Sequence, residues 1–170
     1  MGDHQLFRNR NVLGIDAGLL TAGSGESTRS IGLQITPGSM FNRESYGIAV
    51  ASLNGSGKTT GLHLGLWNGT NIRGIEIGLV NFDFEPFGCS EQQSRTEIGL
   101  KVGLLNTSSC TGPMVGISLG VYNTQVDLTG LQLGLINNAF ILSGVQLGII
   151  NIISSRKGFG RMLPFINAAF

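Results

Sequence analysis

The stretch of this sequence that most resembles a reactive site is SLNGSGKTT, from Ser52 to Thr60. Gly57, Lys58 and Thr59 stand in the order of a phosphate-binding P-loop, whose backbone amides wrap phosphates where a helix begins. However, Ser52 stands where the first glycine of that motif belongs. The residues that follow, GLHLGLWN, alternate as a strand does and show no helix start. The segment therefore predicts a link between repeats, with a nucleotide binder using Lys58 as the alternative.

Three ionisable side chains, His63, Glu76 and Lys101, recur at the same position of three successive repeat units. An adjacent acid and base could transfer protons, as in a small enzyme. The spacing also fits a solvated outer row, in which opposite charges stabilise each other by roughly 0.2–1 kcal/mol per pair. Because no nucleophile or second carboxylate joins this row, we predict no catalytic residue. We also predict no cofactor and no metal site, since His4 and His63 are the only histidines.

These residues belong to an eight-residue unit that is clearest as GLQLGLIN from Gly130 and returns fourteen residues later as GVQLGIIN. Units begin at Gly14, Gly32, Gly47, Gly61, Gly74, Gly99, Gly116, Gly130, Gly144 and Gly160. Eight of them end in asparagine: Asn54, Asn68, Asn81, Asn106, Asn123, Asn137, Asn151 and Asn167. We predict one repeat domain, 1–170, with repeats over 14–167, an N-terminal cap or arm over 1–13 and a C-terminal cap over 160–170.

The pattern inside each unit predicts an all-β fold. The second and fourth positions are apolar and the third is mostly polar, which is the alternation of a strand with one buried face. Asparagine at a constant offset favours parallel coils, in which equivalent residues stack about 4.8 Å apart and side-chain amides bond one another. We therefore predict a parallel β-solenoid (β-helix) of about ten short coils, with the second and fourth positions inside.

The alternative fold is an antiparallel β-meander or barrel, in which the protein would be an outer-membrane-type β-barrel. The apolar alternation lasts only about seven residues per unit, short of the roughly 9–11 residues that a strand needs to cross a bilayer. The most apolar window, 131–153, is interrupted by glutamine and asparagine and does not predict a membrane helix. Membrane association is thus an alternative that no helix supports.

Charge and cysteine usage exclude further classes. The eleven basic and ten acidic residues nearly cancel and form no basic stripe, so no nucleic acid is expected as a partner. The N-terminus shows no apolar signal segment, which predicts a cytoplasmic or non-classically exported chain. Cys89 and Cys110 are too few for a disulfide scaffold. Each lies in a long insertion, after Asn81 and after Asn106, and parallel coils would bring these insertions to one edge.

Two features are candidate partner sites. The seventh position of the units forms an apolar stripe. We expect the second glycine to act as a bulge that turns this stripe into the core, and the alternative is that the stripe is an interface. Its members are Leu53, Trp67, Val80, Leu105, Tyr122, Ile136, Ile150 and Ile166. The second feature is the insertion after Asn81, which has three phenylalanines among acidic residues. The candidate partner-binding residues are Phe82, Phe84, Phe87, Trp67 and Tyr122.

The units GLQLGLIN and GVQLGIIN resemble the bacterial surface-repeat family built from Gly-Leu-Gln-Leu-Gly-Leu-Val-Asn units. The resemblance covers most of the chain and is strongest from Gly116 to Asn151. It implies a protein of the cell surface, since members are generally exported or lipoprotein-like, and it carries over no catalytic residue. The chain shows neither the export signal nor the lipobox cysteine of such members. The sequence thus predicts a non-enzymatic structural or protein-interaction scaffold, with another protein or a second copy as its partner.

Overall fold

The computed structural model describes residues 12–18, 21–22, 29–82, 96–108 and 112–170, and nearly all of them lie in strands. The early strands are β1 (Val12–Ala17), β2 (Thr21–Ala22), β3 (Arg29–Ile77) and β4 (Val80–Phe82). The later ones are β5 (Glu97–Ser108), β6 (Met114–Leu133), β7 (Ile136–Ile153) and β8 (Met162–Ala169), with a 3-10 turn at Gly158–Arg161. The strand β3 is long because the chain stays extended while it winds through several coils.

Neighbouring strands from β1 to β7 pair in parallel, in a register that places equivalent repeat positions opposite each other. On β5 and β6, for example, Gly99 faces Gly116 and Asn106 faces Asn123. Each coil therefore lies directly on the preceding one, with its backbone groups bonded along the axis of the stack. The predicted parallel β-solenoid is confirmed, and the antiparallel alternatives are wrong.

The first glycines of the units form one column from Gly14 to Gly144, and its geometry explains why no other residue occurs there. At Gly130 the backbone has φ 139°, a conformation that side chains with a Cβ rarely adopt. A Cβ on Gly130 would lie 2.0 Å from the carbonyl oxygen of Gly116 in the coil before it. Close stacking and the positive φ together require glycine, so the backbone geometry explains why the first position of the unit is always glycine.

The last repeat unit departs from the stack. Gly160 lies in the 3-10 turn, and β8 then runs antiparallel to β7. The prediction of a tenth coil beginning at Gly160 is therefore wrong. The chain reverses between Ile153 and Met162, and within β8 Phe165, which has a positive φ of 64°, faces Gly148 at a register shift of the pairing. The reversed strand satisfies backbone groups at the edge of the last coil.

The apolar core is small. One cluster consists of Met114, Leu128, Ala139, Leu142 and Ile153, which lie on the later strands β6 and β7. A second cluster, of Met40, Ala49 and Ala51, lies among the earlier coils. The remaining interior is lined mainly by polar side chains.

Candidate functional site

The third-position side chains lie inside the coils and not in the solvated outer row that their spacing predicted. His63, Glu76 and Lys101 have no exposed surface, whereas Ile75 and Ile77 are 41% and 42% exposed. Glu76 and Lys101 are register partners, so their predicted stacking is confirmed, but the predicted direction is wrong. Alternation fixes which residues share a face without fixing which face is inside. Here the buried asparagines select the interior, and the aliphatic positions are left outside.

Lys101 forms a buried polar cluster with two residues of the same strand. Its Nζ lies 2.9 Å from Glu97 Oε2 and 3.2 Å from Ser108 Oγ, and Ser108 Oγ donates to the same carboxylate oxygen at 2.9 Å. The lysine and glutamate side chains are both completely buried. Removing either partner would leave an uncompensated charge in the interior, which is strongly destabilising. The geometry fits a structural ion pair, since neither group faces solvent.

His63 occupies the same interior row without a hydrogen-bond partner on either ring nitrogen. Burial lowers its pKa from 6.5 to about 4, because the charged imidazolium would lose its hydration. His63 is therefore neutral at pH 7. Among the residues that the structure describes, no three His, Cys, Asp or Glu side chains are grouped closely enough to hold a metal ion.

Glutamines continue the interior row toward the C-terminal end. Gln146 Nε2 donates to Gln132 Oε1 at 2.7 Å, and Gln132 Nε2 donates in turn to Gln125 Oε1. Both amides also reach backbone carbonyls across the coil: Gln132 bonds the oxygen of Asn138 at 3.2 Å and Gln146 bonds that of Ile152 at 3.0 Å. The interior row is thus tied to the opposite wall of the coil as well as along the axis.

The asparagines at the eighth position form the side-chain ladder that the sequence predicted. It runs through Asn54, Asn68, Asn81, Asn106, Asn123, Asn137 and Asn151, with each Nδ2 donating to the next Oδ1 at 2.7–2.8 Å. The second hydrogen of each amide goes to a fourth-position carbonyl in the next coil, as from Asn137 to Leu147 at 2.9 Å. Only a short primary amide offers two donors and an acceptor at this reach.

Asn167 does not continue the ladder. Because β8 runs antiparallel, its amide bonds the backbone oxygens of Asn151 and Gly160, each at 3.4 Å. The prediction of Asn167 as a ladder residue is therefore wrong, although its side chain is buried as expected.

The second glycine of each unit makes room for this ladder. A Cβ on Gly134 would lie 2.6 Å from Asn123 Nδ2 and 3.0 Å from Asn137 Oδ1. Equivalent contacts occur at Gly78, Gly103 and Gly120. The second glycine and the asparagine of the unit therefore depend on each other, because the absence of a Cβ at the glycine leaves the space that the asparagine amides occupy.

The outer surface has two apolar faces. The aliphatic face consists of the second and fourth positions of eight units, from Leu33 and Ile35 to Val145 and Leu147, and none of these side chains is fully buried. The outer stripe consists of the sixth and seventh positions, which include Leu104 at 53% and Trp67 at 51% exposure. The seventh-position stripe was expected in the core, and that prediction is wrong. A side chain added at the second glycine would point at the ladder, so this glycine makes room for the ladder and does not turn the stripe inward.

Charged side chains avoid both faces in the described coils. From Arg29 onward, those that reach the outside of the coils lie in the part of the coil that follows the ladder position: Arg29, Arg43, Glu44, Lys58, Arg73 and Asp127. Three more, Arg156, Lys157 and Arg161, lie in or just before the C-terminal 3-10 turn. Each coil therefore has two charge-free apolar faces and a third, mixed face. Phe82 and Ser108, the last described residues before the two insertions, both follow the ladder position.

The segment from Ser52 to Thr60 lies entirely within β3. The helix whose N-terminus a phosphate-binding loop requires does not follow it. Lys58 Nζ lies 5.8 Å from the centre of the Tyr46 ring, a contact on the mixed face. This part of the chain is a piece of coil, as its register in the repeats predicted.

Three of the five candidate partner-binding residues lie among the described residues. Trp67 and the half-buried Tyr122 lie on the outer stripe, and the half-buried Phe82 ends β4. Phe84 and Phe87 lie outside the described residues, as do Cys89 and Cys110, so the proximity of the cysteines stays a prediction.

Sequence reasoning missed the partners of Lys101 and the sixth-position row. Glu97 could have been found from its distance of four residues from Lys101, had both been expected inside. The sixth-position leucines Leu66, Leu79 and Leu104 carried a signal too, because two consecutive apolar positions before the asparagine cannot both be buried by simple alternation.

Comparisons of the chain with family models, with curated proteins and with solved structures found no match in any of the three. The resemblance to the surface-repeat family, and the cell-surface location that it implies, therefore stay predictions. Within the described part of the chain, no helix is long and apolar enough to cross a membrane.

Proposed function

We propose that this protein is a non-enzymatic repeat scaffold that acts by associating with a partner through its outer apolar faces. The observation that carries the proposal is the distribution of side chains: amides and an ion pair occupy the interior, while aliphatic side chains lie outside. Monomeric proteins rarely expose contiguous apolar patches beyond a few hundred Å². A surface with two such faces along the whole coil stack is typical of a protein that is covered by a partner.

The energetic argument concerns the aliphatic face. Complete burial of a leucine or isoleucine side chain contributes about 1.5–3 kcal/mol, and these residues still expose up to about two fifths of their surface. Summed over eight coils, covering the face would contribute on the order of 10 kcal/mol. This gain is comparable with the roughly 4–15 kcal/mol lost when two molecules associate. The face is therefore large enough to drive binding.

The interior supports a scaffold role because it makes the stack rigid. The asparagine ladder connects neighbouring coils, and the Glu97–Lys101 pair connects two positions of one coil, both through buried hydrogen bonds. A rigid stack holds its outer side chains at fixed spacing, so that the faces are organised before a partner arrives. Preorganisation of this kind lowers the entropy lost on binding.

Sedimentation of the tagged chain from its native cell extract tests the proposal. The wild-type chain should sediment well above its 17.9 kDa mass. A variant with Ile117→Lys on the aliphatic face and Leu104→Lys on the outer stripe should shift toward the monomer, whereas Val126→Lys on the mixed face should not. A wild-type chain that sediments as a free monomer in the extract contradicts the proposal. A thermal shift with magnesium-nucleotide would instead favour the nucleotide-binding alternative.

A further inference from the structure

We propose that the aliphatic face is the contact between two copies of this chain, packed face to face. The inference rests on the proposed function and names the partner for one of its two faces. Three properties of the face carry it: its composition, its periodicity and its size.

The composition of the face means that no charged or polar side chain loses its partner when two copies meet. Its members are leucine, isoleucine and valine almost throughout, and no charged side chain interrupts the sixteen positions. When a face packs on its own copy, any charge on it would be buried twice, once from each copy. The described outward charges all lie off this face, and the net charge of the chain is only +1. Self-contact therefore produces neither repulsion nor a buried unpaired charge.

The periodicity of the face matches that of a second copy. Rows of side chains recur about every 4.8 Å along the stack, because each coil rests directly on the last. A partner whose side-chain rows have the same spacing can insert its rows between these along the whole length of the face. A second copy of the coil stack has that spacing, because its strands stack at the same distance. The outer stripe is less regular, since Trp67 and Tyr122 interrupt its aliphatic residues.

The size of the face suits a dimer. Eight coils at about 4.8 Å give a length near 38 Å. The width is that of the five positions from the first to the second glycine of the unit, which span four intervals of about 3.3 Å, or roughly 13 Å. Packing two such faces buries about 500 Å² per copy in projection and about 1,000 Å² in total, the lower limit for a specific interface. A lipid surface fits less well, because membrane-bound apolar faces normally have basic side chains beside them. The described basic side chains that reach the outside lie on the mixed face or beside the C-terminal 3-10 turn.

Sedimentation equilibrium of the purified protein, with variants matched for exposure, tests the inference. Ile117 on the aliphatic face and Val126 on the mixed face are 40% and 41% exposed, and both lie on β6. We expect a wild-type dimer of twice 17.9 kDa. Ile117→Lys should raise the dissociation constant about 100-fold or more, because symmetry introduces the buried charge twice. Val126→Lys should leave the dissociation constant unchanged, and circular dichroism should show both variants folded.

A footprint of the wild-type chain keeps the inference testable if Ile117→Lys does not fold. Carbene labelling of Ile117 should fall as concentration rises into the dimer range, while labelling of Val126 stays constant. A monomeric wild type overturns the inference, as does a dimer that Leu104→Lys dissociates and Ile117→Lys does not. Flotation of a monomer with phosphatidylcholine vesicles would overturn it in favour of lipid. If the purified chain is monomeric yet sediments as a complex from extract, only the dimer fails and the proposed function stands.

Discussion

Replacing Asn137 by alanine should cost about 2–4 kcal/mol of unfolding free energy, because it removes an interior link of the ladder. Asn137 accepts a hydrogen bond from Asn123 Nδ2 at 2.8 Å and donates to Asn151 Oδ1 at 2.8 Å and Leu147 O at 2.9 Å. Alanine would leave one buried N–H of Asn123 and the Oδ1 of Asn151 unpaired. Each stranded group contributes about 1–3 kcal/mol of that loss.

Asn137→Asp should be more harmful than alanine at pH 7. The aspartate keeps the acceptor for Asn123, but its second oxygen would face two other oxygens, those of Leu147 and Asn151, with a charge buried between them. Protonation would restore a donor, so the penalty relative to alanine should shrink as the pH falls through the acidic range.

Chemical denaturation at equal protein concentration measures both effects. The matched control is Asn138→Ala, which changes a half-buried neighbour outside the ladder and should cost less than about 1 kcal/mol. If the unfolding free energy of Asn137→Ala lies within roughly 0.5 kcal/mol of wild type, the usual effect of a surface substitution, the ladder does not stabilise the stack.

Three further changes probe the interior and the stacking. Because the pKa of His63 is about 4 in the folded state and 6.5 in an unstructured peptide, the unfolded chain takes up the proton first as the pH falls. Stability should therefore drop by about 3 kcal/mol between pH 6.5 and 4, and His63→Gln should lose this slope in denaturation measured across that window. Lys101→Met should cost about 3–5 kcal/mol by removing the cation beside the buried Glu97 carboxylate, and adding Glu97→Gln should restore much of it; equal losses in the single and double variants would contradict the ion-pair account. Gly130→Ala should cost more than about 3 kcal/mol of stability in thermal melts. Gly158 also has a positive φ, but nothing lies within 4 Å of an added Cβ, so Gly158→Ala should cost only about 1–2 kcal/mol. Similar losses in the two variants would contradict the stacking argument.

Part of the fold was predictable because it depends on local backbone chemistry. Two glycines and an asparagine at fixed offsets indicated strands that return in the same direction, and the structure places Asn123 opposite Asn137 as that reasoning requires. The P-loop-like segment was correctly assigned to the coil, since the residues after Thr60 have the period of a strand. These inferences needed only the repeat and the geometry of extended chains.

The site was less predictable because polarity was assumed to decide which face is inside. Alternation placed Ile75 and Ile77 on one face and Glu76 on the other, and that grouping is correct. Burial of the apolar face was the natural assumption for a chain surrounded by water, and it was wrong. The departure itself points to the outer faces as the surfaces that act.

The amino-acid sequence by itself determined the repeat, the strand period and the parallel stacking of the asparagines, since each follows from the spacing of residues along one chain. Only the tertiary structure decided the direction of the side chains, the antiparallel return at Asn167 and the pairing of Lys101 with Glu97. The physical reason is that an alternating strand has two equivalent choices of inner face. The inner face is decided by contacts between coils: the ladder amides of successive coils bond one another in the interior, where the second glycines leave room for them.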